Sequence, residues 1–83
     1  MNVEEKVKEI LLEILDIKEA DIVPTAKFID DLGATSIDLV EILTAFQNTF
    51  DVDISDAEAA KLKTVQDATD LLQSQLAQKG TLP

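Results

Sequence analysis

Ser36 is the side chain whose setting most suggests chemistry. It closes the run Asp31-Leu32-Gly33-Ala34-Thr35-Ser36 and opens the stretch Ile37-Asp38-Leu39-Val40-Glu41, so a hydroxyl stands at a helix N-terminus just after a glycine turn. Helix N-termini present free backbone N–H groups and partial positive charge, a field that suits a phosphate ester. The plainer reading is an ordinary helix cap. Thr35 competes for that role. It stands three residues before Asp38, the spacing of a capping box, whereas Ser36 stands three before Leu39, which cannot close one. If Thr35 caps, Ser36 takes the first helical position and its hydroxyl is free.

Other chemistry finds few tools in this chain. It has no cysteine and no histidine, so disulfides, thiolate metal sites and the usual general base are excluded. Two glycines and three phenylalanines leave little for a phosphate-cradling loop or a base-stacking platform. Asp51, Asp53 and Ser55 alternate as in a calcium loop, but Asp56 stands where the turn glycine belongs and Leu62 where the bidentate glutamate belongs. No metal site is expected, and catalysis is not.

The formal net charge of −10 on 83 residues argues against nucleic acid or an anionic membrane as partner and favours steering toward basic protein surfaces. The chain opens Asn2-Val3-Glu4-Glu5 rather than with a basic region and an apolar run, and no apolar stretch is long enough to span a bilayer. A free-standing cytoplasmic protein, monomeric and without membrane insertion, is the expectation.

The elements that must position Ser36 are helical. Asn2 can cap a first helix in which Val3, Val7, Ile10, Leu11 and Ile14 form one apolar stripe through about Leu15. From Asp16 to Ala34 the period lapses, yet Ile17, Ile22, Val23, Phe28, Ile29 and Leu32 keep the segment apolar. It reads as a long connection laid across a bundle, with one short helical turn. A second helix spans about Ser36 to Phe50, its stripe being Leu39, Ile42, Leu43, Phe46 and Phe50, with Ile37 and Val40 off its centre. Asp56 to about Leu62 makes a short third helix behind Ser55, and Thr64 with Asp67 begins the last, striped by Val65, Ala68, Leu72 and Leu76. About residues 77–83 read as a flexible tail. The fold class is an all-α four-helix bundle of three main helices and one short helix, with a long first loop, forming a single domain over residues 1–83.

Several of these stretches occur together in a known family. Glu4-Glu5-Lys6-Val7-Lys8, Phe28-Ile29-Asp30-Asp31-Leu32-Gly33-Ala34, Ser36-Ile37-Asp38-Leu39-Val40-Glu41, Phe50-Asp51-Val52-Asp53-Ile54 and Lys63-Thr64-Val65-Gln66-Asp67 stand in the order and spacing of the acyl carrier proteins. The chain resembles that family over nearly its whole length. The resemblance implies that a 4'-phosphopantetheine arm is transferred from coenzyme A to Ser36, and that its thiol holds acyl groups for fatty acid, lipid or polyketide synthesis. It also implies a recognition helix on which Asp38 and Glu41 meet basic residues of partner enzymes, among them a phosphopantetheinyl transferase, while Ile37 and Val40 give apolar contact. By the same resemblance, Phe28, Leu43, Phe46 and Ile54, with Ala59, Leu62 and Leu72, would line an acyl pocket, although each fits equally well as ordinary core.

Two departures from the family pattern stand out. Thr35 replaces the aspartate common before the modified serine, and Gln47-Asn48-Thr49 replaces residues that are acidic in many members, with Thr44 polar where a larger apolar residue is frequent. They suggest a carrier serving a dedicated pathway. The competing classes are an acidic helical adaptor that stays unmodified and a carrier for aminoacyl groups.

Overall fold

The computed structural model describes residues 2–80. Each α-helix starts where a side-chain oxygen caps the first turn. Asn2 Oδ1 accepts the Glu5 N–H at 3.2 Å and opens α1, Val3–Ile14. Thr35 opens α2, Ser36–Phe50; Ser55 opens α3, Asp56–Ala60; Thr64 opens α4, Val65–Lys79. All three of these close full capping boxes, so two otherwise orphaned donors are satisfied at each start. The third helix is two residues shorter than its apolar pattern suggests, because Lys61 and Leu62 turn back onto Glu58 and Ala59 carbonyls. At the other end, α4 includes residues 77–79 and stops at Gly80, whose φ of 73° is the left-handed conformation glycine adopts without strain. Of the tail expected from about residue 77, residues 81–83 lie outside the described residues.

The packed pairs are α1–α2, α1–α4 and α2–α4. Val7, Leu11, Ile42, Phe46 and Leu72 are sealed from solvent where the stripes meet. Each large side chain buried there contributes about 1.5–3 kcal/mol. The long connection behaves as its composition requires. A short 3-10 turn, Glu19–Asp21, interrupts it, and Ile22, Ala26, Phe28, Leu32 and Ala34 enter the core. Backbone bonds then stitch it to the segment before α4: Phe28 N–H donates to the Lys63 carbonyl, Val65 N–H to Ala26 and Gln66 N–H to Pro24, each at 3.0 Å. Among the described residues the only extended pairing is this isolated antiparallel bridge, Lys27 to Thr64. The result is a helical bundle with the long first loop folded into it.

Candidate functional site: the start of the second helix

The site is built by a turn that delivers Ser36 to the surface. Phe28 to Leu32 wind tightly, with Asp31 and Leu32 N–H groups donating to the Lys27 carbonyl and Gly33 N–H to Ile29. Gly33 has φ +72° and lets the chain reverse, and Ala34 N–H then donates to the Phe28 carbonyl at 2.9 Å. Buried Leu32 and Ala34 pin this turn from below. Residues 35–37 are left exposed on top.

Thr35 takes the capping role, as its spacing from Asp38 foretold. Its Oγ1 accepts the Asp38 N–H at 3.1 Å, and its own N–H donates to Asp38 Oδ2 at 3.0 Å. Ser36 is therefore the first helical residue. Its hydroxyl makes no hydrogen bond among the described residues, and neither do the N–H groups of Ser36 and Ile37. A nucleophilic oxygen thus sits beside two unclaimed donors at the positive end of a 15-residue helix. Those features fit a phosphodiester: the oxygen can carry it, and the donors can meet its charge.

Down the same helix, Ile37 is 73% exposed and Val40 62%, the two most exposed large apolar side chains described. Glu41, one turn from Ile37, is exposed beside them. Asp38 differs from these three: it is half-buried, and one of its carboxylate oxygens is already engaged by the Thr35 cap.

An apolar slot of about 40 Å³ lies between α2, the first loop and the α3 segment. Phe28, Leu43, Phe46, Ala59 and Leu62 line it, joined by Leu39 and Ile42 of the α2 stripe. Ile54 and Leu72 line neither the slot nor the chamber in front of it. Ile54 packs half-buried against the core, and Leu72 is wholly buried in it. The slot has room for a few heavy atoms only, so a longer chain would have to displace side chains. Beside it lies a wider chamber of about 360 Å³ that shares Phe28, Leu39, Ala59 and Leu62 and adds Lys27, Ile29, Asp30, Ala60 and Lys63.

Two glutamines hold the α3 side of this site, and the sequence patterns did not single them out for it. Gln47 Oε1 accepts the Ile54 N–H at 2.9 Å. Gln75 Nε2 donates to Glu58 Oε2 at 3.0 Å and to the Asp53 carbonyl at 3.3 Å. Gln47 had registered only as a missing negative charge. No hydropathy or spacing rule marks an amide that reaches across to another element. Among the described residues no three carboxylates converge closely enough to hold a metal ion, and no helix is long and apolar enough to cross a membrane.

This geometry suits a carrier whose arm is supplied from outside, and the comparisons with known proteins show that class. The phosphopantetheine attachment site family model matches residues 5–72, a span that holds the Gly33 turn, Ser36, all of α2 and α3 and most of α1, and ends within α4. The chain is also 49% identical over 78 residues to the acyl carrier proteins of three strains of Buchnera aphidicola subsp. Acyrthosiphon pisum, 5A, Tuc7 and APS, covering 94% of this chain and 98% of each relative. The chain belongs to the acyl carrier protein family. Its cofactor is phosphopantetheine, its role is that of a carrier and not a catalyst, and acyl-processing enzymes are its class of partner.

Proposed function

We propose that Ser36 carries the phosphopantetheine arm and that the α2 face beyond it presents the charged carrier to its enzymes. The observation that supports this is the division of labour at the helix start. Thr35 does the capping, which leaves the Ser36 hydroxyl and the Ser36 and Ile37 N–H groups without protein partners. In the loading step the Ser36 oxygen forms a bond to the phosphorus of the coenzyme A phosphopantetheine group. Its proton passes to the transferase and the nucleotide bisphosphate departs. Bound there, the arm supplies the thiol that a cysteine-free chain lacks, and so holds acyl groups as thioesters for fatty acid or related synthesis.

Glu41, the free oxygen of Asp38, and the apolar pair Ile37 and Val40 form the face for basic enzyme surfaces, including that of the phosphopantetheinyl transferase. Exposed ion pairs contribute about 0–1 kcal/mol each. They serve encounter and orientation, which suits a carrier that must leave one enzyme for the next. Thr35 keeps the cap but removes a charge beside the attachment oxygen, which favours a dedicated pathway and transferase. Phe28, Leu43, Phe46, Ala59 and Leu62 are the residues we assign to shelter the start of an acyl chain. The protein acts as a cytoplasmic monomer in this reading.

Intact-protein mass before and after incubation with coenzyme A and a broad-specificity phosphopantetheinyl transferase tests it. The wild type should gain one phosphopantetheine, or arrive already carrying it, while Ser36→Ala never does. A chain that stays unmodified with transferases of broad and dedicated specificity would instead be an adaptor built on the carrier fold.

A further inference from the structure

The chamber in front of the apolar slot holds a charge arrangement that attachment and docking leave unused. Lys27 and Lys63 both line it. They are brought together because Lys27 bridges to Thr64 and the Phe28 N–H donates to the Lys63 carbonyl. Neither ammonium forms an ion pair or hydrogen bond with any described residue, in a chain where 17 carboxylates face 7 lysines. Nearby acids are turned to the backbone instead. Asp31 Oδ2 accepts the Lys27 N–H at 2.8 Å, and Asp67 Oδ2 accepts the Lys63 N–H at 3.0 Å. Asp30 is the single carboxylate in the chamber lining. Behind the lysines the wall is Phe28, Leu39, Ala59 and Leu62, and Leu39 lies one helical turn from Ser36.

We infer that this chamber is a subsite for short acyl cargo ending in a carboxylate, with the apolar wall taking the methylenes and Lys27 and Lys63 taking the anion. The inference rests on the arm being attached at Ser36. Two physical effects separate such cargo from a plain acyl chain. The inner slot rejects a carboxylate, because burying an unpaired charge among Phe46, Ile42 and Leu43 is prohibitive. A plain chain has no such penalty and goes inward. Exposed lysines bind a free carboxylate poorly, but a cargo on a short tether meets them at an effective concentration on the order of millimolar. Weak contacts are then populated, and salt weakens them.

The test uses the full chain, wild type and the Lys27→Gln/Lys63→Gln double variant, each as the uncharged holo form and loaded with hexanoyl or adipoyl groups, which share a six-carbon backbone. Mass spectrometry counts loaded arms, and amide chemical shifts report position. Adipoyl loading should shift the amides of Lys27, Phe28, Leu39 and Lys63, and at least half of that shift should vanish in the double variant and in about 0.5 M salt. Hexanoyl shifts should centre on Leu43 and Phe46 and be the same in both proteins. Adipoyl shifts that ignore the lysine substitutions would overturn the subsite. So would lysine-dependent shifts already present in the uncharged holo form, which would assign the ammoniums to the phosphate of the arm. Failure of any arm to load at Ser36 would strike the attachment reading itself and the subsite with it, an outcome the mass alone distinguishes.

Discussion

The three long helices and the short one are held in place by different forces. Where α1, α2 and α4 meet, Val7, Leu11, Phe46, Ala68 and Leu72 are wholly or almost wholly removed from water. No residue of α3 is buried. Its anchors are polar and gather at its N-terminal end: the Ser55–Glu58 capping box, the Gln75 bond to Glu58, and the Gln47 bond to the Ile54 N–H just before it. Its other end, with Ala59 and then Leu62, faces the slot and the chamber. Burial is non-directional and adds up over many contacts, so the long helices resist displacement as a unit. A few exposed or half-buried hydrogen bonds contribute far less, because water can replace most of what they supply. The wall that a cargo would have to move is therefore the wall with least apolar burial behind it.

The contrast breaks most visibly on the apolar side. Leu72→Ala leaves a cavity where α4 meets its neighbours and should cost about 2–5 kcal/mol, read from urea unfolding followed by helical circular dichroism. A domain of this size has about 5–15 kcal/mol in all, so the variant should be marginal. A cost below about 1 kcal/mol would mean that the core rearranges around the gap, and that the two sides of the molecule differ less than their burial indicates. Thr35→Ala should cost less, about 1 kcal/mol, because one cap is lost from an exposed helix start. Hydrogen exchange should rise at Asp38 and Leu39, whose N–H groups bond to Thr35, and leave the far end of α2 unchanged. Faster exchange throughout α2 would show that its start, and not its buried stripe, governs the helix.

Much of this was legible in the residues. The stripes on the long helices, the Thr35–Asp38 and Thr64–Asp67 boxes and the apolar lining of the long connection are patterns of spacing, and spacing is what a helix or a cap responds to. The free hydroxyl of Ser36 followed from the same arithmetic. What spacing could not carry was contact between distant segments. Nothing about Gln47 or Gln75 in the chain announces that one would reach Ile54 and the other Glu58. Lys27 and Lys63 become neighbours only through a backbone bridge between the first loop and the approach to α4. Leu72 fits the periodicity of a pocket residue as well as that of a core residue, and in the packed bundle it is wholly buried. The end of α4 also runs past its own apolar pattern: residues 77–79 are helical up to Gly80, and Lys79 reaches back to the carbonyl and carboxylate of Asp51 at the end of α2.

The smallest expected effect is the sharpest test of how α3 is held. Hydrogen bonds from the Ser55 N–H, from the Ser55 hydroxyl and from Gln75 keep the Glu58 carboxyl below the usual glutamate range. The folded state therefore favours the ionised form more than the unfolded chain does. That contribution is complete above the ordinary glutamate value of about 4.3 and is lost as pH falls through the lowered folded value. Acidification in that window should loosen α3 before the rest of the molecule. Amide exchange at Glu58, Ala59 and Leu62, corrected for intrinsic rates, should rise relative to Leu11 and Ile42. Asp67 complicates the reading, since hydrogen bonds from the Lys63 and Thr64 N–H groups lower its carboxyl in the same direction at the start of α4. Glu58→Gln separates them. It removes titration at α3 alone, so α3 should lose its acid response while the α4 start keeps its own. An α3 that still loosens with acid in the Glu58→Gln protein would place its anchor in the Asp67 junction, and the polar tether at its N-terminal end would not be what holds the mobile wall.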